Sequence, residues 1–74
     1  MPSSFWLVRP RSDGGSDYVR FLAAHGAVEI REGSHLPPQM PLLKHRRCLA
    51  LDEAEACRRR LQQEAGYRRS EPLF

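Results

Sequence analysis

The run Ala27-Val28-Glu29-Ile30-Arg31-Glu32 alternates apolar and charged residues without a break. Side chains along an extended chain point to opposite faces in turn, so Val28 and Ile30 face one way while Glu29 and Arg31 face the other. The pattern predicts a strand half buried in an antiparallel sheet with one wet face. Gly33-Ser34 is expected to end it. Such a strand commits the chain to a sheet whose apolar face needs a cover.

The flanking segments supply the rest of the sheet. Phe5-Trp6-Leu7-Val8 is a strand-type apolar run stopped by Pro10. Residues 11–17 form a loop, with Gly14-Gly15 at the tip of a hairpin turn. Tyr18 to Gly26 supports two readings. As a strand, Val19 and Phe21 share a face opposite Arg20. As a helix, Ser16 caps it, Tyr18, Phe21, Leu22 and His25 cluster, and Gly26 ends it. Local signals divide evenly. Leu36 to Pro41 holds Pro37, Pro38 and Pro41, which predicts an extended, non-helical connection.

The basic run Lys44-His45-Arg46-Arg47-Cys48-Leu49 comes next. A helix is predicted from about Leu51 or Asp52 to Ala65. Asp52, Glu53 and Glu55 suit the positive end of its dipole; Arg58, Arg59 and Arg60 suit the negative end. Glu55 and Arg59 stand at i,i+4 in the favourable order. The apolar stripe is Ala54, Cys57, Leu61 and Ala65, with Leu51 just before it. Gly66 stops the helix, and Tyr67 opens a last extended segment.

Length and composition narrow the function. At 74 residues the chain reads as one small domain, residues 1–74. A chain of this size buries only about 60% of the surface its unfolded form exposes, so a partner or a second copy is the natural way to add core. Cys48 and Cys57 are too few for a disulfide framework or a zinc site, and they read as reduced thiols. Met1 to Ser4 carries no positive region and the Phe5–Val8 run is short, which predicts a cytoplasmic protein without a membrane span. The net charge of +3 lies wholly in residues 44–74, because the preceding residues balance. All but one of the 12 basic residues are arginine, which suits planar contacts to carboxylates and phosphates but also follows from base composition.

The run Pro41-Leu42-Leu43-Lys44 with Arg46-Arg47 and Leu49, and the ending Gly66-Tyr67-Arg68-Arg69 with Glu71-Pro72 and a terminal aromatic, carry a resemblance. So do Trp6-Leu7-Val8 with Pro10, Val19-Arg20-Phe21, Val28 to Ile30, Glu53-Ala54 and Leu61. Across nearly its whole length the chain resembles the short uncharacterised protein family, a domain of unknown function, of marine unicellular cyanobacteria. The resemblance implies extended structure for residues 18–22 and no particular activity. The chain departs from that pattern in three ways: it lacks Ser or Thr at the helix start, Cys57 is small where a bulky residue is common, and Tyr67 stands where Trp is usual.

These readings combine into an α+β fold, a small antiparallel sheet of three to four strands with one C-terminal helix packed on one face. The element order is β-β-β-(Pro-rich link)-β-α-β. The expected core is Trp6, Val8, Val19, Phe21, Val28, Ile30, Leu43, Leu49, Ala54, Cys57, Leu61 and Tyr67.

No nucleophile–base pair, phosphate-cradling loop or paired carboxylates appears, so the chain is not expected to be an enzyme. His25, His35 and His45 lack ligand spacing, and no metal, cofactor or small-molecule substrate is expected. The candidate binding residues are Lys44, Arg46, Arg47, Arg58, Arg59, Arg68 and Arg69. In an extended run Lys44 and Arg46 share one side and His45 and Arg47 the other. Arg58, Arg59 and Arg60 spread around a helix at about 100 degrees per residue, so at most two join one patch. Two function classes follow. The first is a non-enzymatic protein-interaction or adaptor module, self-associating or binding a larger acidic complex. The second is a small RNA- or DNA-binding module.

Overall fold

In a computed structural model, which describes residues 4–74, the chain runs β1 (Ser4–Pro10), β2 (Ser16–Ala24), β3 (Ala27–His35), β4 (Leu42–Ala50), α1 (Leu51–Glu64) and β5 (Arg68–Ser70). Met1–Ser3, part of the stretch read for a leader's positive region, lies outside the described residues. The expected α+β fold and element order hold, with one helix on one face of an antiparallel sheet. The sheet has five strands rather than three or four, in the order β4-β3-β2-β1-β5. β5 pairs through only three residues, Trp6↔Ser70, Leu7↔Arg69 and Val8↔Arg68. No helix among the described residues is long and apolar enough to cross a membrane.

The segment read two ways is a strand. His25 and Gly26 both have positive φ, 50° and 77°, and form a two-residue turn flanked by the pair Ala24↔Ala27. Turns of this kind match the twist of paired strands. β3 continues past its expected end to His35, through a bulge between Glu32 and Gly33. Gly33 is needed there because a Cβ would meet the Leu42 carbonyl oxygen at 2.0 Å and the Tyr18 hydroxyl at 2.7 Å. Residues 36–41 are irregular, as the prolines require.

The core lies between the sheet and α1. Phe5, Leu7, Val19, Phe21, Val28 and Ile30 meet Ala54 and Cys57, with Leu49, Leu61 and Tyr67 packed around them. Phe5 and Phe21 stack with centroids 4.6 Å apart. Ala54 and Cys57 are small, so the helix lies close over β3 and β4. Two core expectations, Val8 and Leu43, need correction. Phe5 and Leu7 face the helix; Trp6 is buried as expected but on the other face, and Val8 beside it is only half-buried. Leu43 stands on the opposite face, 46% exposed, because the bulge at Lys44 breaks its alternation with His45, Arg47 and Leu49. Leu51, just before the stripe, is exposed at the helix start.

The helix ends also differ in detail from the sequence reading. Ala50 has no side chain to cap the helix, and the Glu53 carboxylate accepts the Ala50 N–H at 3.2 Å instead. Glu55 pairs with Arg58, not Arg59. The last turn holds no basic residue. Arg9 of β1 supplies that charge from outside. It donates to the Ala65 carbonyl at 2.9 Å and to Asp17 at 2.8 Å, and its guanidinium lies 4.7 Å from the Tyr67 ring centroid. A cation there complements the negative end of the helix dipole. Gly66, with φ 76°, turns the chain so that the Tyr67 N–H returns to the Leu61 carbonyl at 3.1 Å.

Candidate functional site: an arginine row on the helix-free face

Register decides which side chains meet on the face that α1 leaves open. Trp6 lies opposite Arg20, Arg20 opposite Arg31, and Arg31 opposite Arg46. Directly opposed residues share a face. β1, β2, β3 and β4 therefore set Trp6 and three arginines in one line across the sheet. Opposed Cα atoms are about 5 Å apart, so Arg20 and Arg46 are separated by roughly 10 Å.

The row is only partly neutralised. Arg31 donates to Glu29, the one carboxylate that the described strands put on this face. The Arg20 guanidinium lies over Trp6, 5.2 Å from the ring centroid, and its Nε is buried with no hydrogen-bond partner among the described residues. Arg46 is exposed and makes no ion pair among the described residues. Like charges directly opposite each other cost roughly 0.2–1 kcal/mol per pair. The face thus holds an unfavourable interaction that an anion relieves.

An aromatic cluster borders the row. Phe74 meets Trp6 edge-on at 4.9 Å and Tyr18 at 5.3 Å between centroids, with His35 at 5.5 Å. Trp6 and Tyr18 are only 5% and 4% exposed beneath it, while Phe74 itself is 57% exposed. Burial pushes the Tyr18 hydroxyl up from its ordinary range, and Arg31 partly opposes that shift. Arg20, Arg31, Trp6, Tyr18, Leu43 and Phe74 line a shallow cavity of about 230 Å³.

The structure separates the residues that the sequence singled out. Arg46 joins the row. Arg68 shares its face but sits opposite Val8 on β5, at the far edge of the sheet. Arg47 points to the helix side, where it donates to Glu32 at 3.0 Å and approaches the Cys57 sulfur at 3.7 Å. Arg69 also faces the helix side, its guanidinium 4.5 Å from the Phe5 centroid. Arg58 is engaged by Glu55 and Gln62, and the hydrogen bond to Arg58 holds the Glu55 carboxyl below its usual range. Arg59 is exposed on α1. Lys44 is exposed at the β3–β4 bulge. The seven therefore do not form one patch. Arg46 and Arg47 lie on opposite sides, as the alternation requires.

Arg20, Arg31 and the Phe74 cluster were not among those candidates. The signal for the arginines was present: counting outward from the His25-Gly26 turn pairs Arg20 with Arg31. Cys48 lies opposite Glu29 on the helix-free face, while Cys57 is buried on the other side, so the sheet keeps the two thiols apart. His25, His35 and His45 fall in a turn, at the end of β3 and in β4. Comparison with protein-family models, curated proteins and solved structures finds no match to the chain.

Proposed function

We propose that the protein is a non-enzymatic interaction module that binds an acidic protein partner through the helix-free face of its sheet. The observation behind this reading is the uninterrupted line Arg20–Arg31–Arg46, with Glu29 as the only nearby strand carboxylate. Carboxylates suit such a row because guanidinium groups make planar, multi-donor contacts to them. A partner that supplies them removes the repulsion between neighbouring arginines. The buried, unpartnered Arg20 Nε gains an acceptor if the side chain moves towards the ligand. A cytoplasmic setting, where thiols stay reduced, fits two cysteines held apart by the sheet. The resemblance to the cyanobacterial family adds no activity to this reading.

A small nucleic-acid-binding module is the second reading. It draws support from Trp6 and Tyr18 beside the arginines. Base stacking needs an open ring face, and both rings are covered by Phe74. That coverage favours the protein partner.

Titration of the protein with poly-glutamate and, separately, with a uridine oligonucleotide tests the choice. Trp6 fluorescence reports binding because Arg20 rests on its ring. Poly-glutamate is expected to bind with an affinity that falls as salt rises. Tighter binding of the oligonucleotide, with a steep salt slope, would replace the protein partner with nucleic acid. No response to either at ~50 mM salt would remove both readings.

A further inference from the structure

We infer that the acidic partner binds as an extended segment that adds a sixth strand to the outer edge of β4. This rests on the acidic-partner reading and names how that partner is held.

β4 is the first strand in the sheet order. One edge pairs with β3, and the other faces no strand. It is nine residues long, and all but Leu49 are exposed. The opposite edge belongs to β5, which has three residues and offers little to pair with. Short edge strands resist added strands, while a long one presents a row of backbone donors and acceptors.

The charges on this edge choose the occupant. Lys44, His45, Arg46 and Arg47 follow one another, and no residue from 42 to 50 is acidic. A second copy is a poor fit. Antiparallel pairing of two β4 edges centred on Arg46 sets Arg46 against Arg46 and His45 against Arg47. Centred on His45, it sets Lys44 against Arg46. Opposed like charges disfavour both registers. An acidic strand reverses the sign of every one of these pairs. The line Trp6–Arg20–Arg31–Arg46 also ends at this edge. The next strand places one side chain directly opposite Arg46 on the helix-free face, and a carboxylate there closes the row. Leu42 and Leu43, exposed at the start of β4, suit an apolar residue at the matching end of the segment.

Amide hydrogen exchange followed by NMR tests this, with a peptide of alternating Glu and Val as the probe. In the free protein the outward-facing amides of β4 are expected to exchange quickly, since no strand pairs with them. With the peptide bound, alternate β4 amides are expected to become protected, and Arg46→Glu to weaken binding by more than about fivefold. Lys44→Glu is expected to weaken it independently. Peptide binding that shifts Trp6 but leaves β4 amides unprotected would overturn strand addition while keeping the acidic-partner reading. No peptide binding at ~50 mM salt would overturn both. Protection that grows with protein concentration in the absence of peptide would assign the edge to a second copy instead.

Discussion

Arg20 and Arg31 stand directly opposite each other on β2 and β3, with Trp6 beyond one and Arg46 beyond the other. Side chains placed this way work against the fold that holds them. Removing a charge from the row should therefore separate binding from stability. Arg46→Ala is expected to leave the melting temperature unchanged, or to raise stability by a few tenths of a kcal/mol. The same change should weaken poly-glutamate binding about fivefold. Thermal unfolding and a fluorescence titration on one preparation check both. A variant that loses stability and binding together would show the row to be structural.

Phe74 seals Trp6 from above, at 4.9 Å between centroids. Phe74→Ala is expected to shift Trp6 emission to the red as water reaches the indole. The edge-to-face contacts to Trp6 and Tyr18 are worth ~0.5–1.5 kcal/mol each beyond burial, so stability should fall by ~1–3 kcal/mol. Fluorescence spectra and urea unfolding measure the two effects. Unchanged emission would mean that Phe74 does not cover the ring in solution.

Gly33 has no room for a side chain, because its Cβ direction runs into the Leu42 carbonyl and the Tyr18 hydroxyl. Gly33→Ala is expected to displace β4 at the bulge, with a loss of ~1–3 kcal/mol typical of overpacking. Gly26→Ala, with nothing within 4 Å of the added carbon but φ 77°, should cost only ~1 kcal/mol. Paired denaturation curves rank the two, and an order opposite to this one would count against the bulge geometry.

Burial raises both Tyr18 and Tyr67 above the ordinary tyrosine value of 10.0, against the opposing pull of Arg31 on one and Arg9 on the other. A folded-state value above the unfolded one means that the native protein holds these protons more tightly. The stability this contributes is complete below pH 10.0 and is lost as pH climbs through the raised values. Phenolate absorbance should rise late, and the melting temperature should drop over the same alkaline interval. Ordinary titration of both residues would show that water reaches their hydroxyls.

Much of this was legible in the residues. The alternation from Ala27 to Glu32 located β3, and the breakers around it bounded its neighbours. Acidic residues before Ala54 and Gly66 after Ala65 marked α1. β1 was the hard case. Phe5-Trp6-Leu7-Val8 has no polar residue to show its parity, and both faces of β1 are in fact covered, one by α1 and one by Phe74. Its residues name Trp6 and Val8 as core without showing that Phe5 and Leu7 are the pair that meets the helix. Gly33-Ser34 looked like a strand end because a bulge and a turn draw on the same residues. Arg46 could be picked from its own segment. The row could not, since it exists only when three strands are in register, and a run of basic residues along the chain says little about neighbours across it.

The sheet order has a consequence for what the chain loses when it is shortened. β1 lies between β2 and β5, and β5 follows α1 in the chain. Without α1 and β5, the first four strands make a sheet with two bare edges, β4 and β1. Phe5, Leu7, Val19, Phe21, Val28 and Ile30 then lie on an uncovered face. α1 closes that face and β5 closes one of those edges. A chain cut within α1 thus yields a sticky, incomplete sheet rather than a smaller stable protein.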